Sequence, residues 1–195
     1  MRIALAGLLL LLSVPGAAVA QGQDIGKAEY AARRDSLAAR IDSGVVVAFG
    51  APEPTGIHKE PQLAAFRYLT GFLEPNAAFL LVKRGGTVQS FLFTATRDPR
   101  RALYDGFPPD SAAVAQQTGL QVRSLPAFGP AVDSLVQAGL PVYDLRDFAS
   151  SDAEDADSLT RGSRFIADLK SRHPGLRVED AHAIVDQLRA RKSPA

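Results

Sequence analysis

The chain has 195 residues, 46% of them hydrophobic, with a formal net charge of +1 and no cysteine. That length suits one domain, or one and a fraction. The balanced charge excludes a nucleic-acid partner held by bulk electrostatics, and the lack of cysteine excludes a disulfide framework, a thiolate zinc site and a thiol nucleophile.

The chain opens "MRIALAGLLLLLSVPGAAVAQGQ", with Met1 and Arg2 ahead of an apolar run from Ile3 to Leu12. Ser13, Pro15 and Gly16 break that run, and Ala18 and Ala20 form a small-x-small pair. The pattern predicts a secretory signal peptide over residues 1–20, cut near Ala20. The run is too short for a hydrocarbon core of about 30 Å, which takes about 20 residues. The mature chain is therefore expected in the periplasm or outside the cell, with no membrane partner after cleavage.

Lys27 to Asp42 reads as an amphipathic helix, with Tyr30, Leu37 and Ile41 on the apolar stripe and Arg33, Arg34 and Arg40 off it. Gly44 ends it. The continuous apolar run Val45 to Phe49 predicts a buried strand. A loop fixed by Pro52, Pro54 and Pro61 follows, then a short helix over "QLAAFRYLTGF" with Gly71 as its stop. "AAFLLVK" and "TVQSFLFT" are two strands joined by "RGG", a hairpin signal. A charged, proline-bearing loop, "RDPRRALYDGFPPD", leads to a short helix at "SAAVAQQ" and a strand at "LQVRSL". "GPAVDSLVQAG" is a helix with Pro130 in its first turn and Gly139 after it. "PVYDL" is a strand, "SSDAEDADS" an acidic loop opening a helix through Leu169, and the last helix covers about Ala181 to Arg191. Strands alternate with helices around one hairpin, which predicts an α/β fold with a mixed sheet and helices on both faces.

Chemistry is sparse. There is no GxxxxGK[ST] phosphate loop, and "KRGGT" is a hairpin turn. There is no GxSxG elbow. His58, His173 and His182 have no HExxH or other metal-ligand spacing. His58 lies in the proline-rich loop, His173 at a helix end where positive charge suits the dipole, and His182 near the start of the last helix as a surface residue. The run Asp152, Glu154, Asp155 and Asp157 lacks the ordered pattern of a calcium loop and suits a helix N-terminus. Asp98 and Asp105 are an acid/base pair in principle and turn-capping residues by setting. Arg97, Arg100 and Arg101 form a small basic cluster.

Four stretches, in order, carry a resemblance. "YAARRDSLAARIDSGVVVAFGAPEP", "FRYLTGFLEPNAAFLLV", "FTATRDPRRALYDG" and "VDQLRARKSPA" together resemble the N-terminal domain of the Xaa-Pro aminopeptidase (aminopeptidase P) and creatinase family. The resemblance spans Tyr30 to Ala195. It implies a three-layer α/β domain over 21–187, with 188–195 as the start of a connector into a catalytic domain. Family members carry a polar R-Q-x-S-D-like stretch before the phenylalanine, and here those positions read "PQLAA". In "YLTGFLEP", Tyr68, Leu69 and Phe72 suit a core, Gly71 a helix stop and Pro75 an extended exit at Glu74.

The resemblance places the catalytic machinery, two aspartates, a histidine and two glutamates on two manganese ions, in a second domain, and "KSPA" is where that domain should begin. No catalytic residue, metal ligand or cofactor is therefore assigned to this chain. The substrate-entrance or interface candidates are His58, Arg67, Tyr68, Thr70, Glu74, Arg97 and Asp98. The expected partners are a homodimer mate or a catalytic domain, with a peptide substrate only through the latter. The expectation is a non-catalytic piece of an exported Xaa-Pro metallo-aminopeptidase. Its alternatives are a stand-alone peptide-binding or accessory domain, and an independent enzyme using His58, Asp98 or Asp105.

Overall fold

Apolar strands without polar interruption must be covered on both faces, and that requirement organises the molecule. The computed structural model describes residues 25–53, 62–96, 100, 103, 110–145 and 160–191. In it, β1 (Gly44–Phe49) is buried at every position. It is flanked in sequence by α1 (Lys27–Ala38) and α2 (Ala64–Thr70). The hairpin of β2 (Ala78–Arg84) and β3 (Thr87–Thr94) follows, then α3 (Ser111–Thr118), β4 (Gln121–Ser124), a single 3-10 turn and α4 (Phe128–Gln137). The chain continues through β5 (Val142–Asp144), α5 (Arg161–Arg172), β6 (Val178–Asp180) and α6 (His182–Arg189).

The six strands form one mixed sheet in the order β4-β3-β2-β1-β5-β6. Only β2 runs against the rest: it is antiparallel to β1 and β3, while the pairs β1–β5, β3–β4 and β5–β6 are parallel. Side chains alternate across the sheet. Val46, Ala48, Phe79, Leu81 and Leu92 face Leu37, Phe66, Leu69, Val114 and Val185 of α1, α2, α3 and α6. Val45, Val47, Leu80, Phe91 and Phe93 face Phe128, Val132, Ile166 and Leu169 of α4 and α5. These are the two interfaces of a three-layer fold. Burying each such side chain contributes about 1.5–3 kcal/mol.

Several boundaries differ from the sequence reading. α1 stops at Ala38 rather than Asp42, and Gly44 starts β1 rather than ending the helix. A Cβ at Gly44 would sit 2.5 Å from the Tyr143 ring on β5, so the glycine is required by strand packing. α5 runs past Leu169 to Arg172, capped by Thr160, whose Oγ1 accepts from the Ser163 amide at 3.1 Å. α6 is shorter at both ends than 181–191. β6 has no counterpart in the reading: Val-Glu-Asp carries no apolar alternation, and pairing with β5 makes it a strand.

Candidate functional site

Two of the motifs read from the sequence interlock. The last carbonyls of α2 have no partner within the helix. Arg33 Nη1 donates to the Tyr68 carbonyl at 3.4 Å, and Arg34 Nη1 donates to the Leu69 carbonyl at 3.0 Å. Arg34 is thus buried rather than solvated, contrary to its place off the apolar stripe, because the end of α2 supplies an acceptor. Burial pushes its guanidinium pKa down, and the Asp35 charge partly offsets this. Arg33 is held between aromatic faces, 5.2 Å from the Tyr30 ring centroid and 4.6 Å from that of Tyr68, while its Nε pairs with Glu29 at 3.0 Å.

Gly71 closes α2 with φ +66° and donates to the Arg67 carbonyl at 2.9 Å. The Tyr30 ring lies so close that a Cβ on Gly71 would come within 2.5 Å of it. Thr70 is fully buried. Its hydroxyl donates to the Phe66 carbonyl at 2.8 Å and accepts from the Phe72 amide at 3.1 Å. α3 ends the same way: Thr118 bonds the Val114 carbonyl and the Leu120 amide around Gly119, which has φ +70°. The repeated signal Thr-Gly-apolar was legible in "LTGF" and "QTGL" and is absent from the sequence reading.

Beyond Gly71 the chain forms a tip at the rim where β1 ends and β2 begins. Gln62 braces it: Oε1 accepts from the Ala51 amide at 2.6 Å, and Nε2 donates to the Glu74 carbonyl at 3.0 Å. The Asn76 amide donates to the Ala51 carbonyl at 2.9 Å, and its side chain donates to Glu53 at 3.2 Å. On this braced frame Leu73 stands 58% exposed, beside an exposed Glu74.

At the same rim the helices after β1 and β5 leave to opposite faces of the sheet. Arg161 lies there over the Phe49 ring, 5.2 Å from its centroid. Among the described residues its Nη1 is buried without a hydrogen-bond partner, and burial pushes the guanidinium pKa down. Phe49, Phe128 and Phe165 make edge and tilted contacts beneath it at 5.1–5.4 Å.

A concavity of about 760 Å³ runs between α1 and α6. Its walls include Arg33, Arg40, Tyr68, Leu188, Arg189 and Arg191. A smaller hollow of about 410 Å³ borders Arg172, His173 and Gly139. Beside it, Asp133 on α4 accepts from Arg172, and the His173 Nε2 lies 2.9 Å from Asp133 Oδ1. Burial alone would push the Asp133 pKa up, but these hydrogen bonds and the neighbouring positive charges hold it below the usual carboxylate range.

The candidate residues separate. His58, Arg97 and Asp98 lie outside the described residues, as do Arg101, Asp105, the acidic run, the predicted signal segment and residues 192–195. Arg67 is exposed on α2, Tyr68 is half-buried under Arg33, and Glu74 is exposed at the tip. Thr70 presents no group to a partner, since burial and its two backbone bonds occupy it. His182 is tied down rather than free at the surface: Nδ1 lies 2.8 Å from the Leu145 carbonyl and Nε2 2.9 Å from Asp186. Among the described residues, no three histidine or carboxylate groups converge as metal donors. Among them, no helix is long and apolar enough to cross a membrane.

Residues 30–143 match the family described as "Aminopeptidase P, N-terminal domain". The chain is 32% identical over 124 residues to Xaa-Pro aminopeptidase 3 of Dictyostelium discoideum, a match covering 57% of this chain and 24% of that protein. Among solved structures it resembles a Bacillus anthracis aminopeptidase P (TM-score 0.77, 20% identity), covering 87% of this chain and 41% of that one. Aminopeptidase P of E. coli superposes with TM-score 0.70 at 22% identity, over 87% of this chain and 40% of that one. These structural likenesses establish the fold. The chain spans about two-fifths of the solved relatives and about a quarter of the curated one.

Proposed function

The chain belongs to the family of aminopeptidase P N-terminal domains, and on that premise we propose that it is the non-catalytic part of an exported Xaa-Pro metallo-aminopeptidase. In this reading it shapes peptide access and dimer contacts, while a separate catalytic domain holds two manganese ions and hydrolyses the bond before proline. The observation that carries the reading is the family match over residues 30–143, and Leu73, 58% exposed on a turn whose backbone is fixed on both sides, is the side chain this reading assigns to contact. Glu74 beside it supplies a carboxylate to the same surface. The leader over residues 1–20 supports export.

The test is a fusion of this chain to the catalytic domain of E. coli aminopeptidase P. Leu73→Asp and Glu74→Lys are expected to raise KM for Xaa-Pro peptides or to dissociate the dimer, with the circular dichroism spectrum preserved. Unchanged KM and unchanged oligomeric state in both variants overturn the reading.

A further inference from the structure

The groove between α1 and α6 is not used by the function proposed above. Its floor is α1 and the turn after it, where Ala32, Ser36 and Ala39 are exposed. Half-buried Tyr68 gives it an apolar wall with Leu188 buried behind, and Arg33, Arg40, Arg189 and Arg191 stand along it. Two of these cations are already neutralised: Arg33 pairs with Glu29 at 3.0 Å, and Arg189 with Asp186 at 3.2 Å. Arg40 and Arg191 are exposed and, among the described residues, have no carboxylate within ion-pairing distance. The groove therefore carries a net positive charge over an apolar floor.

Its shape identifies the class of ligand. From Glu29 to Ser36 the lining runs along α1 for about 10 Å at 1.5 Å per residue, and it continues past the helix end through Ala39 and Arg40. Small-molecule sites are concave and converge a few polar groups on one point. Here the cations are spread along an open channel, which suits a chain with spaced negative charges. The whole chain is only +1, so there is little bulk attraction for a nucleic acid. We propose that this groove docks an acidic, partly apolar segment of a partner polypeptide, its carboxylates on Arg40 and Arg191 and its apolar side chains on Tyr68, Ala32 and Ala39. The pairing resembles helix-in-groove recognition with charges at the rim.

The test is fluorescence anisotropy on the purified chain, with a labelled amphipathic peptide of glutamate, leucine and alanine, its lysine-for-glutamate counterpart and a single-stranded DNA oligonucleotide as probes. The acidic peptide is expected to bind and the other two not. Arg40→Glu and Arg191→Glu are each expected to weaken binding about fivefold, the scale of one exposed charge pair, and Arg40→Gln by less. Arg84→Glu, exposed at the far end of β2, is expected to leave binding unchanged, and added salt to weaken it. No binding, equal binding of the lysine peptide or the DNA, or equal affinity in the Arg40 and Arg191 variants overturns the proposal.

Discussion

Arg34 on α1 donates to the Leu69 carbonyl on α2 at 3.0 Å, and through this bond the first helix holds the end of the second. A guanidinium at a helix C-terminus satisfies an orphan carbonyl and meets the negative end of the dipole. Removing it leaves that carbonyl buried and unpaired, at about 1–3 kcal/mol. Arg34→Met, which keeps much of the volume, is expected to lower Tm by about 4–8 °C for a loss near 2 kcal/mol. An unchanged melting curve would contradict this role.

Gly71 and Tyr30 are coupled by space. Gly71→Ala adds a left-handed alanine, about 1–2 kcal/mol, and a Cβ within 2.5 Å of the Tyr30 ring. In a Tyr30→Ala background only the backbone cost remains. The loss on Gly71→Ala should thus be smaller there than in the parent, as read by urea denaturation of the double-mutant cycle. Equal losses would show that the ring is not the obstacle.

Thr70 and Thr118 each serve the same cap. Thr→Val at either position keeps the shape and deletes the hydroxyl, costing about 1–2 kcal/mol. Thr→Ser keeps both bonds and should cost less. A serine variant less stable than the valine variant at both sites would refute the capping account.

Asp133 gives an acid dependence. Its folded pKa lies below the ordinary carboxylate value, so its contribution is fully present above that value and is lost as pH falls through the folded one. Stability should therefore drop below about pH 4, and Asp133→Asn should flatten that part of the profile while lowering stability at neutral pH. An acid limb with the same slope in the variant would assign the dependence elsewhere.

The fold was legible where pattern and packing agree. Val45 to Phe49 is continuous and apolar and becomes the central strand, and "RGG" becomes the hairpin turn, with Gly85 at φ +57°. The α/β class and the two helical layers followed from the alternation of elements. β6 was not legible because three polar-flanked residues carry no periodicity, and its strand exists only through β5. Arg34 misled because helical periodicity marks polarity, not partners: its acceptor lies 35 residues away at the end of another helix. The tip was legible in part. "YLTGFLEP" announced a helix stop and an extended exit, but the bracing Gln62 sits in the "PQLAA" stretch read only as a departure from the family pattern. No local signal in that stretch marks it as a bridge to Ala51 and Glu74.

The central claim, that this domain serves hydrolysis without performing it, is tested most directly by incubating the purified chain with an Xaa-Pro peptide, with and without manganese, beside E. coli aminopeptidase P as a positive control. The account predicts no release of the residue before proline by this chain under either condition. Manganese-dependent release that follows the purified chain through successive columns would contradict it.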